Sequence, residues 1–89
     1  MIQDNTEYNI IVVEDNMGDF ILLQEYLDDI LTNSTIHHFK SFESFKDYFE
    51  CHINVTDVIL LDLSLPDYSG EDLIKAVLTM SQNTPIIVL

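Results

Sequence analysis

Arginine is missing from this 89-residue chain, and three lysines stand against sixteen acidic residues, for a formal net charge of −13. A field of that sign opposes direct contact with nucleic-acid phosphates or an anionic membrane surface, and favours cations and basic partner surfaces. Cysteine occurs once, as Cys51, which excludes an internal disulfide and fits a reducing cytoplasm. No apolar run approaches the roughly 18 residues of a membrane-spanning helix, and no signal-peptide pattern opens the chain. Internal repeats and low-complexity segments are absent too. What remains, at 47% hydrophobic content, suits one small globular domain over residues 1–89.

What is present is a regular alternation. After a polar lead-in over residues 1–7, Tyr8 to Val13 is β-branched and apolar and closes on Glu14-Asp15-Asn16. From Met17 to about Leu31, the residues Phe20, Leu23, Leu27 and Ile30 recur at helical spacing, with Asn16 and Asp19 placed as a carboxylate variant of the capping box. Thr35 to Phe39 reads as a second strand. Ser41 is positioned to cap a second helix carrying Phe42, Phe45 and Phe49 on one face, ending near Cys51-His52. Asp57 to Leu61 forms a third strand. Ser69-Gly70-Glu71-Asp72 looks like another cap, and Leu73, Ile74, Val77 and Leu78 give a third helix its apolar stripe. After Asn83-Thr84-Pro85, Ile86 to Leu89 begins a fourth strand. The order β-α-β-α-β-α-β implies crossover connections and a parallel sheet, an α/β fold.

The chemistry concentrates at two strand ends. The run Val58-Ile59-Leu60-Leu61 suits a strand buried on both faces, and it delivers Asp62 at its carboxyl end, the edge where open α/β sheets bind ligands. Glu14 and Asp15 end the first strand in the same way. If those strands are neighbours, three carboxylates converge, and two of them about 5 Å apart repel by roughly 3 kcal/mol at an effective dielectric near 20. Such a cluster takes up a proton or a cation. Oxygen-only ligands suit Mg²⁺, which often bridges to a phosphate and would prepare phosphorus for attack by a carboxylate oxygen. Simpler roles stand beside this one: Asp62 as a loop-starter, and Glu14-Asp15 as an acidic cluster meeting a helix dipole. His37 and His38 are adjacent on a strand, face opposite sides and read as structural. Cys51-His52 lacks a second ligand pair, and Phe42, Phe45 and Phe49 read as core.

Val-Val-Glu-Asp-Asn at 12–16, Leu-Leu-Asp-Leu-Ser-Leu-Pro at 60–66, Gly70 and Pro-Ile-Ile-Val-Leu at 85–89 together resemble a response-regulator receiver domain. The stretch Val-Glu-Asp-Asn-x-Gly-Asp is similar to single-domain receivers paired with bacterial phytochromes. The resemblance covers Tyr8 to Leu89. It implies a flavodoxin-like, doubly wound parallel sheet with strand order 2-1-3-4 for the strands present. It further implies that Asp62 is the phospho-acceptor and that Glu14, Asp15, Asp62 and the backbone carbonyl of Ser64 hold Mg²⁺. The donor would be a phosphohistidine on a sensor histidine kinase or phosphotransfer protein. On this reading the chain is a signalling domain and not an enzyme acting on others, with neither nucleic acid nor membrane as a direct partner.

The resemblance also implies a Ser or Thr just after the fourth strand, two further helices, and a fifth strand ending in a lysine. Leu89 precedes all of these, and Lys40, Lys46 and Lys75 are poor substitutes for that lysine. The 89 residues are therefore expected to be an incomplete receiver that binds Mg²⁺ weakly, accepts phosphate slowly or not at all, and forms a homodimer through the fourth strand. Two other classes remain open: an association module without phosphotransfer, and a Mg²⁺-dependent phosphatase with an aspartyl nucleophile. Haloacid-dehalogenase-type phosphatases carry a second aspartate two residues after the nucleophile, where this chain has Ser64.

Overall fold

The computed structural model describes residues 7–89, so the lead-in expected over residues 1–7 lies, but for Glu7, outside the described residues. Seven elements alternate: β1 (Tyr8–Val13), α1 (Met17–Ile30), β2 (Ser34–Phe39), α2 (Phe42–His52), β3 (Val58–Leu61), α3 (Gly70–Ser81) and β4 (Ile86–Val88). The four strands form one parallel sheet in the order β2-β1-β3-β4, as crossover through helices requires. Strand β3 begins at Val58 and not at Asp57. Asp57 is instead paired with Asn9, accepting its N–H at 2.6 Å through Oδ2 and donating its own N–H to the Asn9 carbonyl at 2.9 Å.

Strand β1 is central, and its apolar run is buried on both faces. Ile10 and Val12 pack with Leu60 against Phe20 and Leu27 of α1. Ile11 and Val13 pack with Ile59 and Leu61 against Phe42, Phe45 and Phe49 of α2 and Leu73 and Val77 of α3. One helix covers one face and two cover the other, so the core is a three-layer sandwich with the sheet in the middle.

The helix stripes are narrower than their spacing suggests. Ile30 is 57% exposed, about 70° around the helix from the line of Phe20 and Leu27. Leu78 is also 57% exposed, since the step from Val77 turns it about 100° away from the sheet. At the start of α1, the Asn16 side chain accepts the Asp19 N–H at 3.0 Å, as the capping pattern predicts. The reciprocal arm comes from a different residue: Glu14 Oε1 accepts the Asn16 N–H at 3.1 Å. Ser41 caps α2 by accepting the Ser44 N–H at 3.2 Å. Ser69 stands at the N-cap of α3 with extended backbone but makes no side-chain capping bond, and Glu71 and Asp72 supply negative charge to that first turn. Gly70 adopts a φ of +65°, a conformation that disfavours any residue with a Cβ, although a Cβ there would meet nothing within 4 Å.

Candidate functional site

Parallel pairing brings the carboxyl ends of β1 and β3 level, with Val13 opposite Leu61. The next residue on each strand stays tied to the sheet. Asp62 donates its N–H to the Val13 carbonyl at 2.9 Å, and Glu14 donates to the Phe39 carbonyl at 3.0 Å. Both acids therefore leave the sheet at the same edge, with Asp15 between Glu14 and the start of α1. One carboxylate oxygen from each of Glu14, Asp15 and Asp62 lies within 4.8 Å of the others. Among the described residues these three form the one group of at least three His, Cys, Asp or Glu so placed.

The three acids differ in exposure. Glu14 is buried, Asp62 half-buried and Asp15 exposed. Burial holds the Glu14 carboxyl above its ordinary pKa; the Asn16 N–H opposes that shift, while the neighbouring charges of Asp62 and Asp19 reinforce it. The well is thus short of positive charge. Clustered carboxylate oxygens of graded exposure, with water able to reach Asp15, fit a hard divalent cation that keeps part of its hydration shell.

An open cleft of about 340 Å³ adjoins Glu14 and Asp62 and is lined by these two with Asp19, Leu23 and Leu89. Asp19 and Leu23 are additions to the residues that the sequence singled out. Glu14 supplies the second arm of the cap, and Asp19 lines the cleft. The helical step from Asp19 to Leu23 is the sequence signal that would have placed both residues on one side of α1.

Ser64 lies two residues beyond Asp62, exposed, with its N–H donating to Asp62 Oδ1 at 3.1 Å. The loop closes behind it through a bridge between Ser64 and Ser69 and through the Gly70 N–H, which donates to the Leu63 carbonyl at 2.8 Å. None of the three lysines lines the cleft. Lys40 follows β2, on the far side of β1 from Asp62, Lys46 lies within α2, and Lys75 pairs with Glu71 at 3.2 Å. Met17 is exposed at the start of α1.

The histidines divide as strand alternation requires. His37 lies against Tyr48 of α2, with ring centroids 5.1 Å apart. His38 faces α1, where it stacks on Phe20 at 3.6 Å. His52 donates from Nδ1 to the Tyr48 carbonyl at 2.7 Å and stacks on the Tyr48 ring at 3.8 Å, while Cys51 is exposed. Neither His52 nor Cys51 joins the acidic group.

Residues 10–89 match the family described as the response regulator receiver domain. The chain is 29% identical over 80 residues to the transcriptional regulatory protein CiaR of Streptococcus pneumoniae, covering 90% of this chain and 34% of CiaR. Among solved structures, the MaeR response regulator bound to beryllium trifluoride superposes with a TM-score of 0.80 at 26% identity, covering 92% of this chain and 66% of that one. The non-phosphorylated receiver domain of HemR from Leptospira biflexa gives a TM-score of 0.74 at 26% identity, covering 92% and 63%. The chain therefore spans about a third of the length of CiaR and just under two thirds of the MaeR and HemR structures.

Proposed function

Because the chain belongs to the response regulator receiver domain family, we propose that it is the phospho-acceptor of a two-component signalling pathway, with Asp62 as the acceptor. The convergence of Glu14, Asp15 and Asp62 at one sheet edge carries this reading. A carboxylate oxygen of Asp62 attacks the phosphorus of a phosphohistidine on a sensor histidine kinase or phosphotransfer protein. The new P–O bond forms as the P–N bond breaks, and the departing imidazole takes the bonding electron pair and then a proton. The product is an acyl phosphate on Asp62.

Glu14, Asp15, Asp62 and the backbone carbonyl of Ser64 would hold Mg²⁺, which when bound neutralises the acidic cluster and the incoming phosphoryl charge. The chain's own residues do the rest. Burial and the Asn16 N–H hold Glu14 in place, and the Ser64 N–H at 3.1 Å orients one oxygen of Asp62 and leaves the other for the attack. MaeR, which this chain resembles in fold, is bound to beryllium trifluoride, a mimic of a phosphoryl group, and that supports a phosphoryl-accepting role here. The charge of −13 opposes direct contact with nucleic acid or an anionic membrane surface, and among the described residues no helix is long and apolar enough to cross a membrane.

The test compares the chain with Asp62→Asn, each incubated with Mg²⁺ and either acetyl phosphate or beryllofluoride. Wild type gains a phosphoryl group at Asp62 slowly, read by mass spectrometry after long incubation, or binds beryllofluoride, and the variant does neither. Equal responses from the two proteins overturn the assignment.

A further inference from the structure

The residue before Asp15 is held by β2 at both of its main-chain polar groups. The Glu14 N–H donates to the Phe39 carbonyl at 3.0 Å, and the Glu14 carbonyl lies 2.6 Å from His38 Nε2. A carbonyl offers no hydrogen, so the imidazole is the donor and Nε2 carries the proton. The ring itself has little freedom. It stacks on Phe20 with centroids 3.6 Å apart and planes 5° from parallel, and its strand position pairs with Val12 on the face that α1 covers.

A peptide unit is planar, so fixing the Glu14 carbonyl also fixes the N–H and Cα of Asp15. Asp15 is the exposed member of the acidic group, and like charge on Glu14 and Asp62 opposes its approach to them. Glu14 has a separate restraint on its side chain from the Asn16 N–H. Asp15 depends on the backbone that leads into it. We propose that His38 is a positioning residue of the cation site: its Nε2–H holds the Glu14–Asp15 peptide plane so that Asp15 stays within reach of Glu14 and Asp62. This role rests on reading the acidic group as a Mg²⁺ site. It goes beyond packing, which an apolar ring at position 38 would supply equally well.

The experiment separates the ring from its proton. His38→Phe keeps a ring on Phe20 and removes the donor; His38→Gln keeps an N–H at a similar reach and removes the ring. Calorimetric titration with Mg²⁺ should show His38→Phe binding about tenfold more weakly than wild type, the lower end of the loss seen when a partner of a metal ligand is removed. His38→Gln should recover most of that affinity, whichever variant is the more stable in urea. Nitrogen NMR of wild type at about pH 8, where an ordinary histidine is neutral, should find His38 as the Nε2–H tautomer. Undiminished affinity in His38→Phe, no recovery in His38→Gln, or an Nδ1–H tautomer each overturns the role of His38. An Nδ1–H tautomer overturns the role even where a variant does not fold. Absence of Mg²⁺ binding by wild type overturns the metal reading itself and this proposal with it.

Discussion

Asp67 lies in the loop after Asp62, and each of its oxygens takes a backbone N–H from the start of α2: Phe42 at 2.9 Å and Glu43 at 3.0 Å. The Phe42 N–H is the larger cause of a carboxyl pKa held below its ordinary value, with Glu43 adding to it. A depressed carboxylate contributes stability that is present above its unfolded pKa and is lost as pH falls through the folded one. Asp67→Ala should therefore cost about 1 kcal/mol at neutral pH, mid-range for a helix cap at an exposed site. The difference from wild type should vanish in acid below the ordinary carboxylate range, read by urea denaturation across pH. A difference that persists in acid would remove the carboxylate explanation. Glu14 works in the opposite sense: its pKa is raised by burial, so its ionisation costs stability as pH rises through the folded value. Asp62 and Glu14 were legible as candidate site residues because each ends an apolar strand. Asp67 was not, because the N–H groups that it meets are 24 and 25 residues away in sequence.

Helix α2 shows what periodicity does and does not tell. Phe42, Phe45 and Phe49 lie where their spacing puts them, with Phe45 and Phe49 fully buried and stacked at 5.5 Å. Truncating Phe45 to alanine should cost about 3–5 kcal/mol through lost burial and a residual cavity. That is a large part of the roughly 5–15 kcal/mol that holds a domain folded. Ile30→Ala and Leu78→Ala, at positions that also matched the apolar stripes of α1 and α3, should each change stability by no more than about 0.5 kcal/mol. Chemical denaturation of the three variants checks the contrast, and a large loss from Ile30→Ala would contradict the exposure of that residue. Spacing identifies the side of a helix that meets the sheet. How far that contact extends around the helix depends on how the helix lies across the strands.

At the scale of the whole molecule, one face of the sheet is covered by α1 and the other by α2 and α3, and the register sets Ile87 opposite Leu60. Leu60 is buried, while Ile87 on the edge strand is 54% exposed. The sequence by itself determined the alternation of strands and helices, and so the parallel sheet, because period-2 and period-3.6 burial are written locally. It determined Glu14, Asp15 and Asp62 as acids at strand ends for the same reason. Only the tertiary structure decided that Asp19 turns into the cleft, that Asp67 holds α2, and that His38 grips the peptide before Asp15. Each of these depends on a backbone or side-chain partner brought close by strand pairing or helix packing, and no local pattern encodes that proximity.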